Sequence, residues 1–448
     1  MEAVEFPIAI LAMEDEVWVV GEFSESLHRL DPDGAAELQR LVIPIRASRG
    51  SWPYVERRGL RTKQALAERL IEDGRGRLWF PQAGHWSNRE LPIDVPSYSR
   101  IVSYTPRARK FCIFPVPDNR SGVMGIAWDE AREVIWFSQS GNNALVAFNP
   151  QGWFACDSYN NYLWKFDVEG DPVRPLPVSY CEWPDQTNCM RKYSTGTTRG
   201  LINQLAVQQP DDPDPGAIWY THLVGESIGR FDPATGQNEL FPLERSQYIV
   251  PELPATYFSR LHHIHIHPHD GDLLFSANGR AEVFRFDIQA YIANPDRCRY
   301  LDEAGKNPCM TSFQIPMFVE HAGNITTHSM ALDRFGNLWV SAWAGACPLD
   351  MDPPSIGMIN AEWTEMVFLD HLDLPYRDED GSLRRAAPDE TGVPCGEQDR
   401  PAWAFKGIDV DDDNNIWVTN YFQRLVHQLE YTGKPDENPY YRLCTECP

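Results

Sequence analysis

The chain has 448 residues, with 40 Lys and Arg against 64 Asp and Glu, and a formal net charge of −24. That balance speaks against a nucleic-acid or anionic-membrane partner, which clustered cations would have to hold. Apolar residues are 42% of the chain, enough for a large core, yet no apolar run approaches the roughly 18 residues of a membrane span. With 15 Trp, 36 Pro and 30 Gly, the composition predicts many short strands joined by turns.

In chain order, Met1-Glu2-Ala3-Val4-Glu5 is acidic where a secretion signal is basic, and the apolar stretch Ile8 to Met13 is short. A degenerate apolar strand then leads to Val17-Trp18-Val19. It is the first copy of a recurring element: an apolar strand, an Asp- or Gly-bearing turn, and an aromatic-centred strand. Further copies lead to Leu78-Trp79-Phe80, Ile135-Trp136-Phe137, Ile218-Trp219-Tyr220, Leu273-Leu274-Phe275, Leu338-Trp339-Val340 and Ile416-Trp417-Val418, seven in all. The blade tryptophans are expected to be buried between neighbouring sheets.

A second element, an alternating strand ending in Asp-Pro or a relative, follows most copies, as in Leu27 to Pro32, Val146 to Pro150 and Ile228 to Pro233. A third is an apolar-Pro-apolar triplet: Phe6-Pro7-Ile8, Ile43-Pro44-Ile45, Phe114-Pro115-Val116, Leu176-Pro177-Val178, Phe241-Pro242-Leu243 and Ile315-Pro316-Met317, with Leu374-Pro375-Tyr376 a looser relative. Proline lacks the N–H that a central strand needs, so these triplets are assigned to outer, edge strands. One triplet precedes every inner strand and none follows Trp417. The expected fold is therefore an all-β, seven-bladed β-propeller whose N-terminal strand completes the last blade.

A single domain over 1–448 is expected, with Cys-bearing insertions at about 153–199, 290–312 and 345–400. Trp153 to Cys156 and Asn161 to Asp167 resemble a second copy of the Trp136 to Phe148 hairpin, read as an insertion in blade three with an eighth blade as the alternative. Gln64 to Leu70 looks mildly helical. The ten cysteines include the close pairs Cys181/Cys189, Cys298/Cys309 and Cys444/Cys447. In an oxidising compartment these would staple loops, so a secreted or periplasmic monomer is the expectation, with a cytoplasmic protein the alternative.

Aligning the repeats places Glu68, Met124, Asn203, His262, His328 and Lys406 at one rim position, the start of each inner strand. A second ring, three residues after the blade aromatic, contains Gln82, Gln139, His222, Ala277, Ala342 and Asn420. Polar groups converging on a concave mouth are the expected small-molecule site. Five imidazoles fall within eight residues at His262 to His269. His263, His265 and His267 share one strand face and are expected to pack against adjacent blades. His262 and His328 sit at the rim, where imidazole can bind a metal or act as a base near neutral pH. The runs Asp211 to Asp214 and Asp411 to Asp413 read as solvated hairpin tips.

The segment Trp219-Tyr220-Thr221, continuing through Ile228 to Pro233 and Glu239 to Leu243, resembles the blade repeat of the virginiamycin B lyase (streptogramin lyase) family. Asp333 to Val340 and Glu5 to Ile8 do likewise. Members of that family are seven-bladed propellers, and the lyase opens a cyclic depsipeptide by an elimination that cleaves its ester, using magnesium and a His base at the channel mouth. The resemblance implies His262 as metal ligand, His328 as catalytic base and magnesium as cofactor. Asn203, His222, Lys406, Gln139, Gln82 and Asn420 would line the substrate. The family's acidic metal ligand would fall three residues after Trp339, where this chain has Ala342, and a methyl group cannot coordinate a hard cation. The alternative is a non-catalytic propeller that binds a small molecule, glycan or protein at the same rim.

Overall fold

The computed structural model describes residues 7–13, 15–21, 26–31, 37–42, 65–66, 69–83, 99–116, 122–149, 179–180, 189–197, 201–244, 261–277, 282–315, 325–344, 356–369, 376–377, 383–384, 405–420, 425–431 and 441–443. They form a seven-bladed β-propeller. Blade one is Pro7–Ala12, Val17–Gly21, Ser26–Leu30 and Glu37–Val42, each strand antiparallel to the next. Blades four to seven repeat that meander, with inner strands Ile202–Val207, Leu261–Ile266, Ile325–Leu332 and Phe405–Val410. In blade three, whose inner strand is Val123–Asp129, the short segment Ser179–Tyr180 adds parallel to the outer strand Cys189–Ser194. In blade two the inner strand is broken into Ala65–Leu66 and Ile71–Glu72, both paired with Leu78–Ala83. Within Gln64 to Leu70, Ala65–Leu66 is thus strand, and the described Arg69 and Leu70 are not helical.

Among the described residues, seven hydrophobic clusters sit at the seven blade junctions. Trp18 packs with Leu78 and Phe80, Trp79 with Ile135 and Phe137, and Trp136 with Ile218 and Tyr220. Trp219 packs with Phe275 and Phe286, and Leu274 with Leu338 and Val340. Trp339 meets Ile416 and Val418, and Trp417 meets Ile10, Val17 and Val19. The indole N–H rarely goes unmet. Asp73, Asp129, Asp333 and Asp411 accept it at 2.7, 3.0, 3.1 and 2.8 Å, and the same carboxylates cap their turns. Asp411 is accordingly buried and organises its turn; only Asp412 and Asp413 form the solvated tip.

Three expectations change. The N-terminal strand does not complete the last blade: Pro7–Ala12 pairs with Val17–Gly21 as the inner strand of blade one. Tyr441–Leu443 already fills the outer edge of blade seven against Leu429 to Tyr431. The ring closes instead through side chains, by the Trp417 cluster and by the Ala12 N–H donating to Asp409 Oδ2 at 2.8 Å. Pro7 is therefore an inner-strand residue, whereas Pro115 and Pro242 do lie in outer strands. Finally, the region read as an insertion from 345 to 400 supplies the third and fourth strands of blade six, Ile356–Ile359 and Met366–Leu369. The hairpin at Trp153 to Asp167 lies outside the described residues.

The loop between the third and fourth strands of blade five carries two short helices, Ile288–Ala293 and Pro295–Cys298, and a Cys298–Cys309 disulfide ties the second helix to the residue just before the outer strand Met310–Gln314. Cys112 is also disulfide-bonded. Among the described residues no helix is long and apolar enough to cross a membrane.

Candidate functional site

The inner strands are not regular. In blades three to seven the register slips across a three-residue step near the start of the inner strand, at Val123/Ile126, Ile202/Leu205, Leu261/Ile264, Thr327/Met330 and Phe405/Ile408. A hydroxyl two residues after the blade aromatic holds each bulge. Ser138, Thr221, Ser276, Ser341 and Thr419 accept the N–H of Gly125, Gln204, His263, Ser329 and Gly407, at 2.8 to 3.1 Å. Three of them also donate into the next blade, Ser138 to the Asn203 carbonyl, Thr221 to that of His262 and Ser341 to that of Lys406. A Cβ on Gly125 would lie 2.6 Å from the Asn203 carbonyl, which explains a glycine there. The rim residues are thus fixed by the bulge, one position before the clamped N–H.

His262 and His328 occupy equivalent positions on the adjacent inner strands of blades five and six, with ring centroids 4.7 Å apart. The pair sits side by side rather than across the opening. The His262 Nδ1–H donates to the His328 carbonyl at 3.0 Å, so a neutral His262 presents Nε2 as its lone pair. His263 joins them, its ring centroid 5.0 Å from His262 and 6.1 Å from His328. All three are buried. His263 meets the adjacent blade six through His328, but neither it nor His265 is buried in a blade-junction core. Ile264 on the opposite face enters the core, while the two histidines line a central cavity of about 400 Å³. His267 pairs instead with Asp270 at 2.9 Å in the following turn.

That cavity also contains Arg69, whose guanidinium crosses to donate to the Leu205 and Ile264 carbonyls at 2.9 and 3.3 Å. Burial, with Arg69 adding to it, pushes His265 down to about 3. Burial pushes Asp409 on the cavity wall up to about 7, and Arg69 only partly offsets this.

The remaining nominated residues lie buried at the same end of their sheets. Gln139, His222 and Asn420 stand opposite Val123, Ile202 and Phe405, the first residues of their inner strands, and Gln82 stands opposite Leu66 in the first segment of blade two's inner strand. Lys406 and Asn203 are rim residues of blades seven and four, and Asn203 Nδ2 donates to the Leu261 carbonyl at 3.2 Å. Asn203 Oδ1, His222 Nε2 and both amide atoms of Gln82 are buried without a hydrogen-bond partner. His222 donates to or accepts from Ser227 Oγ through Nδ1 at 2.9 Å, and burial pushes it down to about 4, so it is neutral at physiological pH. Each orphaned atom costs about 1–3 kcal/mol unless water or a ligand meets it. Glu68 lies outside the described residues, and Met124 is half-buried at its rim position.

Sequence reading missed His263, Gln204 and Arg69. Gln204 follows Asn203 as His263 follows His262, and both its amide atoms are orphaned. The hydroxyl two residues after the blade aromatic in blades three to seven was the available signal for the bulge, since it marks where the strand alternation resets.

Magnesium, which the resemblance implies, prefers near-octahedral oxygen ligands. Among the described residues the one cluster of ligand-type side chains consists of three imidazoles, and Ala342 stands opposite Thr327 where the carboxylate would be. This donor set does not fit magnesium.

No protein-family model and no curated protein matches the sequence. Among solved structures, the fold is similar to a streptogramin B lyase, with a TM-score of 0.52 at 15% identity over 96% of this chain and 94% of that one. Virginiamycin B lyase from Staphylococcus aureus gives 0.50 at 14%, covering 94% of each chain. Kuenenia stuttgartiensis hydrazine synthase gives 0.52 at 10%, covering 97% of each. At these identities the likeness establishes the seven-bladed fold that the repeats predict.

Proposed function

We propose that this propeller is a streptogramin lyase-like enzyme that breaks a carbon–oxygen bond in a small cyclic or ester-containing substrate at the channel mouth. The observation that carries the reading is the His262–His328 pair, two buried imidazoles side by side at repeat-equivalent bulges. His328 takes a proton from the carbon next to the one bearing the ester oxygen. The electrons form a carbon–carbon double bond, and the carboxylate leaves with the C–O bond pair. His262, held by its Nδ1–H bond to the His328 carbonyl, presents Nε2 to the substrate. Asn203, His222 and Gln82 supply polar atoms that a bound substrate would satisfy, with Gln139, Lys406 and Asn420 around them. The Cys298–Cys309 disulfide supports a secreted or periplasmic location.

The test uses the chelator-treated chain and a panel of cyclic depsipeptides and lactones. Elimination opens a ring without changing its mass, whereas hydrolysis adds one water, so mass spectrometry of the product separates the two. A ring-opened isomer that disappears in His328→Gln supports the reading; a hydrated product, or equal turnover by the variant, contradicts it. The second reading, a binding propeller without turnover, is favoured by Ala342 and predicts a ligand retained unchanged.

A further inference from the structure

We infer that His262, His263 and His328 together form a binding site for a first-row divalent metal of the zinc class. Their ligand nitrogens all lie within 4.8 Å of one another. Nitrogens bound to one tetrahedral zinc at about 2.0–2.1 Å lie about 3.4 Å apart, so side-chain shifts of up to about 1.4 Å close the set. Imidazole suits zinc, copper or nickel, and three neutral histidines with one position open is a donor set that zinc adopts.

The backbone supplies the strongest argument. Consecutive residues on a regular strand point to opposite faces, so His262 and His263 should not approach the same neighbour. The bulge between Leu261 and Ile264 removes that alternation, and both rings come within 6.1 Å of His328. Ser276 fixes the bulge through the His263 N–H, and Thr221 of blade four holds the His262 carbonyl. The bond from His262 Nδ1–H to the His328 carbonyl sets one tautomer and aims Nε2, the outer-shell device that orients metal-binding imidazoles. His263 lines the central cavity, which gives the site an opening to small molecules.

This site shares its place with the proposed lyase but not its reaction. An imidazole bound to metal through one nitrogen carries a proton on the other, so metal loading silences His328 as a base. The two readings therefore fail separately: absence of turnover in the metal-free chain sinks the lyase, and absence of metal uptake sinks the site.

The experiment is equilibrium titration of zinc into the full, chelator-treated chain, repeated with magnesium and with His263→Gln, His262→Gln, His328→Gln and His269→Gln. One zinc per chain is expected, undisturbed by excess magnesium, with affinity reduced more than about tenfold in the first three variants and unchanged in His269→Gln. His269 is exposed, near His267 and apart from the cluster. Cobalt(II) absorption of the wild-type chain gives a readout that needs no variant, a low-coordinate nitrogen spectrum being the expected result. No stoichiometric uptake, a six-coordinate spectrum, or uptake that survives His263→Gln and falls in His269→Gln would overturn the inference.

Discussion

Two belts of this propeller, only a few residues apart along the same strands, treat their polar groups in opposite ways. At the blade junctions, Asp73, Asp129, Asp333 and Asp411 meet the indole N–H of a buried tryptophan while capping their own turns. At the mouth, Gln82, Asn203, Gln204 and His222 keep buried polar atoms without protein partners. Folding favours the first arrangement and is penalised by the second. The junction belt is thus explained by stability alone, whereas the mouth belt makes sense when something else completes its hydrogen bonds. Trp219 is the instructive exception, since its indole N–H is unmet in the belt where the others are met. Asp214, a loop carboxylate before that strand, is engaged by Arg230 instead.

Substitutions sharpen this contrast. Trp339→Ala should have the largest effect, about 3–5 kcal/mol of stability from lost packing between blades six and seven, measured by urea unfolding. A smaller loss would mean that the neighbouring blades collapse into the gap. His427→Gln probes a buried histidine of blade seven that burial pushes from 6.5 down to about 4. The folded state resists protonating this group while the unfolded chain does not, so its contribution is intact above about pH 6.5 and is lost as pH falls toward about 4. At about 1.4 kcal/mol per pH unit, wild-type stability should lose about 3 kcal/mol across that window that the variant does not lose. Asp409 has the opposite sign: its folded form holds a proton up to about pH 7, so its contribution is lost as pH rises from about 4, in both proteins alike. Equal slopes for wild type and variant would remove His427 from the account.

Ser341→Ala breaks the clamp that accepts the Ser329 N–H and donates to the Lys406 carbonyl, at an expected cost of about 1–3 kcal/mol. Gln82→Leu should cost least and is expected to be neutral or stabilising, since it removes two orphaned atoms from a buried position. Destabilisation by more than about 1 kcal/mol in differential scanning would show that ordered water already satisfies Gln82, and would weaken its assignment to a ligand.

The repeat made the junction belt readable because one packing problem is solved at each interface, and its solution, an aromatic behind an Asp-bearing turn, recurs in sequence. The ring closure was misread because Pro7 has the local signature of an edge residue, yet the partner of Pro7–Ala12 was decided by Tyr441–Leu443, far away in the chain. Blade six hid its outer strands for a related reason, since residues 345–355, outside the described residues, separate Leu338–Ala344 from Ile356–Ile359 in the chain. At the mouth, repeat alignment brought out His262 and His328 because both hold the same rim position. It could not bring out His263, since period-two alternation sends that side chain to the other face, and only the bulge, a feature of hydrogen-bond register, turns it back.

The division between a structural belt and a reactive mouth is tested most directly by measuring ring-opening turnover and unfolding midpoint together for the wild-type chain and His328→Gln. Turnover is expected to be abolished in His328→Gln while the midpoint stays close to the wild-type value. Retained turnover, or a fall in midpoint as large as that of Trp339→Ala, would place His328 with the packing residues and leave the mouth without its base.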